Sequence, residues 1–225
     1  MRVQLTVLLI AGGLLAAAPA RTAGLAQAPP AAELAQSLQK RYATIRDFRA
    51  DFTHEVKGAV LRTIATTEHG EVKVKKPGRL WMTYTAPHKK SFVADGAFVY
   101  TYNASDRAGT RGPMPAGDDI SVAILFLAGR GDLVKDFRAA MPAAQPAGEW
   151  QLVLTPIKWQ QDFATLTLAV DRATLAIRGM TTVDAQGGTF ILRFTNLREN
   201  VGLKDSDFRF TFPRGTHVID TGRAQ

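Results

Sequence analysis

The chain of 225 residues contains no cysteine. Disulfide bonds, thiolate metal sites, a cysteine nucleophile and lipid attachment through a cysteine are therefore excluded. Histidine is scarce as well, and the four histidines are scattered along the chain at His54, His69, His88 and His217. Because their spacing does not place two of them on one strand face beside a carboxylate, we expect neither a metal site nor a cofactor.

Sequence signatures of enzymes are also missing. The chain has no G-x-S-x-G nucleophile elbow, no H-E-x-x-H zinc motif, no phosphate-binding loop and no G-x-G-x-x-G dinucleotide fingerprint. We therefore predict that the protein is not an enzyme. The charge balance is basic, with 28 Lys and Arg against 20 Asp and Glu. No nucleic-acid-binding motif accompanies this charge, so no nucleic-acid partner is expected.

The composition that is present is that of a globular protein, with 46% hydrophobic and 21% charged residues. The N-terminus differs, because the basic start Met1-Arg2 is followed by an apolar run to Ala18 and then by small residues. This pattern predicts a signal peptide over residues 1–28, cleaved between residues 20 and 28, and a single domain over residues 29–225. A secreted chain without cysteine predicts a monomeric protein of the bacterial periplasm.

Hydrophobic periodicity predicts one helix followed by strands. Apolar residues from Ala31 to Phe48 recur at steps of three and four, which predicts an amphipathic helix. Beyond it the period changes to two, which predicts half-buried antiparallel strands. The alternating sets are Phe52/Val56, Leu80/Met82/Tyr84, Phe98/Tyr100/Tyr102, Trp150/Leu152/Leu154, Leu166/Leu168/Val170, Phe190/Leu192/Phe194 and Phe208/Phe210/Phe212.

Short turns join these strands into an antiparallel meander. Asp95-Gly96 predicts a hairpin with a type I′ turn, and residues 171–174 and 184–188 predict two further tight reversals. The alternation also predicts which side chains form the inner wall of the sheet. They are Leu80, Met82, Tyr84, Tyr100, Tyr102, Leu152 and Phe210.

The middle of the chain breaks the strand pattern. A loop rich in Gly, Pro, Asp and Arg precedes an apolar segment with helical spacing, Ile120 to Leu127, and Leu133 to Ala140 resumes a helical pattern. The apolar segment is hydrophobic on nearly all sides, so we expect it to be buried or to cover something apolar. It is either a helix that closes one end of the core or a lid over a ligand cavity. The lid residues are Ile120, Ile124, Leu125 and Leu127.

Positive charge is concentrated in one stretch of the chain. A run of this kind is typical of a solvated strand face, and the alternative is a docking surface for an acidic partner or an anionic membrane. Its members are Lys73, Lys75, Lys76, Arg79, Lys89 and Lys90.

Several segments, taken in order along the chain, resemble the periplasmic outer-membrane lipoprotein carrier family, LolA. Each segment alone is a weak signal, but the ordered set is specific and covers nearly the whole mature chain. The segments are residues 45–52 (IRDFRADF), 74–81 (VKKPGRLW) with Pro87, 93–96 (VADG), 100–102 (YTY) and 208–218 (FRFTFPRGTHV).

The resemblance implies a mainly β fold, an open and incomplete antiparallel β-barrel covered by an N-terminal helix and short lid helices, with an apolar cavity inside. It implies a carrier that takes acylated lipoproteins from an inner-membrane ABC transporter and hands them to an outer-membrane lipoprotein receptor. The receptor of that pathway shares the fold but is itself a lipoprotein. Because this chain has no cysteine to acylate, the carrier is favoured over the receptor.

One position departs from the family pattern. The family often has arginine before the proline at Lys76, where it contacts the backbone of the lid and helps to hold it closed. Lys76 is therefore expected to be the lid tie, with the charge but without the planar five-donor guanidinium. Two other functions fit the same sequence: a carrier of another acylated or glycolipid cargo, and a lipid-sensing regulatory domain on the same fold.

Overall fold

The computed structural model describes residues 28–58, 64–114, 131–158 and 163–222. These residues form one α-helix, twelve strands and a short 3-10 helix. The helix is α1 (Ala31–Ala43) and the 3-10 helix is Asp205–Phe208. The strands are β1 (Asp47–Lys57), β2 (Ile64–Lys75), β3 (Arg79–Ala86), β4 (Lys90–Asp95), β5 (Phe98–Asn103), β6 (Ala108–Pro113), β7 (Phe137–Ala140), β8 (Glu149–Pro156), β9 (Thr165–Asp171), β10 (Ile177–Val183), β11 (Thr189–Glu199) and β12 (His217–Asp220).

All twelve strands belong to one sheet that does not close on itself. Its order is β12-β6-β5-β4-β3-β2-β1-β11-β10-β9-β8-β7, so β12 and β7 are the two edges. Neighbouring strands are antiparallel except for β12, which pairs parallel to β6. The prediction of a mainly β fold built on an open sheet is confirmed. Within the described ranges, no helix combines the length and the apolar character that a membrane span requires.

Helix α1 packs on one face of the sheet, which we call the inner face. Leu34, Leu38 and Tyr42 are buried on one side of the helix and belong to the same core as the inward side chains of the strands. The spacing of these residues explains the amphipathic pattern of the sequence. Burial of this apolar stripe, at about 1.5–3 kcal/mol for each large side chain, holds the helix against the sheet.

The helix is shorter than the periodicity predicts. It ends at Ala43, where Thr44 turns the chain and its hydroxyl donates to the carbonyl of Arg41 at 2.7 Å. Ile45 and Phe48 are buried in the same core, so they continue the apolar spacing although Phe48 already lies in β1. The predicted helix from Leu133 to Ala140 is wrong, because this segment contains a turn followed by the edge strand β7.

The reversals are where the sequence predicts them. The loops after β9 and β10 occupy the predicted positions, and β4 and β5 form the predicted hairpin. The predicted type I′ turn with Asp95-Gly96 at its centre is wrong, because Asp95 ends β4 and positive φ occurs at Gly96 (100°) but not at Asp95 or Ala97. Asp95 fixes this turn with its carboxylate, which accepts hydrogen bonds from the backbone N–H groups of Ala97 and Phe98 at 2.8 and 2.7 Å.

A C-terminal segment, residues 203–216, lies across the outer face of β3 to β6, and we call it the strap. Phe208 is fully buried, and the ring of Phe210 lies 5.8 Å from Trp81 and 5.5 Å from Tyr100. The predicted strand at residues 208–212 is therefore wrong, since only the 3-10 helix and non-strand backbone occur there. The alternation of its phenylalanines arises because one side of the strap packs on the sheet.

Candidate functional site

The inner face of β3 to β6 carries a cavity of about 460 Å³. Cross-strand pairing puts Met82 opposite Phe92 and Phe92 opposite Thr101, so these side chains share the inner face. Ile219 on β12 pairs with Thr110 and completes the wall at the edge of the sheet. The cavity wall therefore combines apolar side chains with a few hydroxyl and amide groups.

Three of the predicted wall residues border this cavity and two lie elsewhere in the core. Met82, Tyr84 and Tyr102 border the cavity. Leu80 and Leu152 also point inward, as the alternation predicts, but both are fully buried in the core that packs against α1. The inner face thus has a packed region and a hollow region. The proposed contact of these residues with lipid stays a prediction.

The predicted placement of Tyr100 and Phe210 on the inner face is wrong. Tyr100 pairs with Val93, and Val93 pairs with Trp81, which puts Tyr100 on the face opposite to Met82. Tyr102 borders the cavity but turns its ring toward Phe210, at 6.4 Å between centroids. The physical reason is that the outer face of β5 is also covered, by the aromatic side chains of the strap. The larger apolar set of a strand indicates the inner face only when the other face is open to water.

The lid tie predicted at Lys76 has a different partner within the described part of the chain. The ammonium of Lys76 donates a hydrogen bond to the carbonyl of Tyr42 and lies 3.3 Å from the centroid of the Tyr42 ring. Tyr42 is in the last turn of α1, where backbone carbonyls lack helical partners and the helix dipole favours a cation. Lys76 therefore fastens β2 to the C-terminus of α1.

Burial lowers the pKa of Lys76 to about 8, and Glu199 opposes this shift. The lysine remains mostly charged near neutral pH, but it gives up its proton more easily than an exposed lysine. The predicted lid residues Ile120, Ile124, Leu125 and Leu127 lie outside the described residues, and their role as a lid stays a prediction.

A polar cluster that the periodicity does not reveal lies beside the cavity. It consists of His54, Glu68 and Lys90, and we call it the polar cluster. Glu68 is 6% exposed, and its Oε2 accepts a hydrogen bond from Lys90 Nζ at 2.9 Å, while its Oε1 lies 2.7 Å from the same nitrogen in an ion pair. His54 Nδ1 lies 3.2 Å from Glu68 Oε2. Lys90 also sits 4.3 Å from the centroid of the Tyr84 ring.

The sequence contains one signal for this cluster. His54 lies between Phe52 and Val56 at the spacing of inward side chains, and the pairing of His54 with Glu68 puts both polar residues on the inner face. Polar residues at inward positions of a strand are uncommon and are satisfied by partners when they occur. The identity of the partners depends on strand pairing, which residue spacing does not give.

The basic stretch is divided between both faces of the sheet. Lys75 and Arg79 bind the carboxylate of Asp205 in the strap at 2.7 and 3.1 Å. Lys76 and Lys90 turn to the partners on the inner side described above. Lys73 lies opposite Arg49 on the outer face. The stretch therefore does not form one continuous basic patch.

Among the described residues, no group of three or more His, Asp or Glu side chains is placed to hold a metal ion. Tight ion pairs and hydrogen bonds account for the polar cluster instead. The site is thus a cavity with apolar side chains and with polar groups that are largely paired with one another.

Comparison with known proteins agrees with this geometry. The model of the family "Outer membrane lipoprotein carrier protein LolA" matches residues 43–211. An outer-membrane lipoprotein carrier protein of Cupriavidus taiwanensis is 32% identical over 202 residues, covering 86% of this chain and 90% of the relative. One of Ralstonia nicotianae is 32% identical over 163 residues, covering 72% of this chain and 73% of the relative.

A solved structure has the same fold. An uncharacterized conserved protein of Thermus thermophilus superposes with a TM-score of 0.53 at 14% sequence identity, covering 84% of this chain and 98% of that one. At this identity the likeness concerns the fold alone. The family match spans most of the chain and includes strands β1 to β11, whereas α1 lies almost wholly before it and β12 lies after it. The chain belongs to the LolA family of outer-membrane lipoprotein carrier proteins.

Proposed function

We propose that the protein is a periplasmic carrier that binds the acyl chains of lipoproteins in the inner-face cavity and shuttles them to the outer membrane. Membership of the LolA family supports a carrier role, since the curated relatives are named outer-membrane lipoprotein carrier proteins. The same names confirm the expectation that the chain is not an enzyme. The donor in this proposal is an inner-membrane ABC transporter and the acceptor is an outer-membrane lipoprotein receptor.

The observation that carries the proposal is the cavity itself. Its volume of about 460 Å³ lies in the range of about 300–1,000 Å³ found for pockets that bind small molecules. Met82, Phe92 and Ile219 give it an apolar lining. Each CH₂ group of an acyl chain moved from water into such a site contributes about 0.8 kcal/mol, so even part of one chain binds measurably.

A carrier without an energy source in its own compartment must also release its cargo. The hydroxyls of Thr101 and Thr110 lie in the wall and bond each other at 2.7 Å. A wall with such groups gives an acyl chain fewer apolar contacts than an all-hydrocarbon cavity. The resulting lower affinity lets a receptor with a more apolar site withdraw the cargo downhill.

The location and the mature form belong to the same proposal. Residues 1–28 are proposed to act as a signal peptide that is removed on export, leaving a monomer in the periplasm. A periplasmic location is what a carrier between the inner and the outer membrane requires, and it is consistent with the named family. The N-terminal sequence of the protein recovered from the periplasm tests the cleavage.

The test of the proposal is to fill the cavity and to measure binding. Thr101 is exposed within the cavity, whereas Thr195 is an exposed strand threonine on the outer face, opposite Asp51. We expect Thr101→Trp to lower the affinity for a fluorescent diacylated lipopeptide by about tenfold or more, which corresponds to about 1.4 kcal/mol. Thr195→Trp is the matched control and should leave the affinity unchanged. Equal affinities of both variants and the wild type would place the acyl chains elsewhere.

A further inference from the structure

Glu68 is a carboxylate held almost entirely out of water on the inner face. A buried charge is stable only when it is paired and hydrogen-bonded. Both of its oxygens are engaged by Lys90 Nζ, at 2.7 and 2.9 Å, and Oε2 also contacts His54 Nδ1 at 3.2 Å. A carboxylate only accepts hydrogen bonds, so His54 Nδ1 carries the proton in this contact. Both carboxylate oxygens of Glu68 are therefore occupied by partners within the protein.

Lys90 is in a different position, because it reaches the cavity. Its side chain is 38% exposed, and Lys90 lines the cavity together with Tyr84 and Phe92. An ammonium group has three N–H donors. One donates to Glu68 Oε2 at 2.9 Å, Oε1 lies 2.7 Å from the same nitrogen in the ion pair, and the Tyr84 ring lies 4.3 Å away. In the part of the chain that the structure describes, no oxygen other than those of Glu68 contacts Lys90 Nζ. The ammonium thus retains hydrogen-bonding capacity toward a ligand in the cavity.

Several other polar groups of the cavity wall are engaged with protein partners. Thr101 and Thr110 bond each other, and the Asn103 amide donates to Asp106 Oδ2 at 2.7 Å. Among the described residues that line the cavity, Lys90 is the one that carries a charge. Lys90 is therefore the charged donor of this wall that is open to a ligand.

The charge balance of the polar cluster limits the kind of ligand. Glu68 and Lys90 neutralise each other, and burial lowers the pKa of His54, so that its imidazole is neutral at neutral pH. An anionic headgroup would be repelled by the nearby carboxylate of Glu68. An uncharged oxygen acceptor meets no such repulsion and can share the ammonium with Glu68.

We propose that Lys90, held in place by Glu68 and His54, is a polar anchor that donates a hydrogen bond to the carbonyl oxygen of an acyl chain bound in the cavity. The inference rests on the proposed function, since it requires an acyl chain in the cavity. It adds a chemical preference: the site recognises the acyl linkage, and not hydrocarbon alone. Alkyl chains attached through ether bonds lack this oxygen and are bound less tightly.

The experiment compares ester- and ether-linked lipids of equal chain length on the mature protein. Dipalmitoylglycerol and dihexadecylglycerol displace a bound fluorescent fatty-acid analogue, and the ratio of their affinities is measured. Wild-type protein is expected to favour the ester by about tenfold, the size expected of one charge-assisted hydrogen bond. In Lys90→Met the ratio falls to about one, and the affinity for the ether lipid is retained.

Further variants separate recognition from folding. Glu68→Gln combined with Lys90→Met removes the carboxylate that Lys90→Met leaves unpaired, and it is expected to lose the ratio in the same way. Lys89→Met removes the neighbouring exposed lysine and should keep the ratio. N-palmitoylethanolamine, whose acyl chain is attached through an amide, tests which linkages Lys90 recognises. If it binds Lys90→Met more weakly than the wild type, the anchor also recognises amides. If both proteins bind it equally, the anchor is specific for esters.

Two results would overturn the anchor while leaving the proposed carrier function intact. One is an ester-to-ether ratio that Lys90→Met does not change. The other is a preference of the wild type for free palmitate over the ester lipid that disappears in Lys90→Met, which would make Lys90 a carboxylate site. Failure of the wild type to bind any of these lipids would instead overturn the proposed function.

Discussion

At the scale of single residues, His54 couples the fold to pH. Burial lowers its pKa from the ordinary 6.5, Glu68 opposes this shift, and Lys90 adds to it. The folded protein therefore binds a proton at His54 less readily than the unfolded chain. As the pH falls below the ordinary histidine value, the unfolded state takes up more protons and the free energy of unfolding decreases.

Replacing His54 tests this coupling. His54→Gln keeps a donor for Glu68 but does not titrate, so its free energy of unfolding should fall less than that of the wild type between about pH 7 and pH 5. Urea denaturation at several pH values measures the difference. His88→Gln is the control, because His88 is exposed and its replacement should leave the profile unchanged. Parallel profiles for wild type and His54→Gln would show that His54 is not the group responsible.

Lys76 stabilises the junction between β2 and α1. Lys76→Met removes its hydrogen bond to the Tyr42 carbonyl and its charge at the helix C-terminus, and we expect it to lower the free energy of unfolding by about 1–2 kcal/mol. Lys76→Arg should lose less, since it keeps the charge. Lys73→Met is the matched control. Lys73 lies beside Arg49 of the neighbouring strand on the outer face, and in the described ranges no ion pair involves it. If the two variants Lys76→Met and Lys73→Met have the same urea midpoint, the claim that Lys76 stabilises this junction is refuted.

At the scale of elements, the strap is the feature that makes the outer face of β3 to β6 different from an ordinary wet face. Asp205 attaches its start to Lys75 and Arg79, and the aromatic rings of Phe210 and Phe212 lie on the strands. Gly109 on β6 permits this approach, because a Cβ there would lie 2.3 Å from the Phe212 ring. The outer face of the sheet is thus covered on the side opposite to the cavity.

Removing Phe210 tests the position of the strap. Phe210→Ala should lower the free energy of unfolding by about 2 kcal/mol, less than for a fully buried phenylalanine because Phe210 is half-buried. The folded fraction should bind the acyl probe with unchanged affinity, since the ring is on the face opposite to the cavity. Phe190→Ala is the control and should cost less, because Phe190 is 43% exposed. Weaker binding of the acyl probe without a loss of stability would instead indicate that Phe210 lines the cavity.

The outcomes for the elements show what alternation can and cannot predict. It predicts strands such as β3, β8 and β9 well, because each has one dry face and one wetter face. It fails at residues 208–212, where a segment lying on a sheet shows the same period without strand pairing. It also fails to predict which face of β5 points inward. The aromatic residues of that strand pack against the strap on the outer face, and smaller residues face the cavity.

At the scale of the whole molecule, the open sheet combines two regions with different roles. Strands β8 to β11 pack with α1 into a dense core that contains Leu152, Leu168 and Phe194. Strands β3 to β6 line the cavity, and the strap packs on their outer face. A cavity can be maintained because the core and the strap, rather than side chains inside the cavity, hold these strands in place.

Much of this architecture can be predicted from the sequence, and the site only in part. Alternation within one strand is enough to predict that Met82 and Tyr84 lie in the cavity wall. Lys90 and Glu68 require the pairing of β3 with β2 and β4, and the partner of Lys76 is 34 residues away in the chain. Long-range pairing is set by how whole faces are buried, which local spacing does not determine.

The central claim, that acyl cargo occupies the inner-face cavity, is tested most directly by photo-crosslinking in the periplasm of a Gram-negative bacterium. A photoreactive phenylalanine replaces either Thr101 in the cavity or Thr195 on the outer face, both exposed strand threonines. The crosslinked partners are identified by mass spectrometry. We predict acylated lipoproteins on the Thr101 variant and none above background on the Thr195 variant. Equal capture at both positions, or capture at Thr195 alone, would contradict the account.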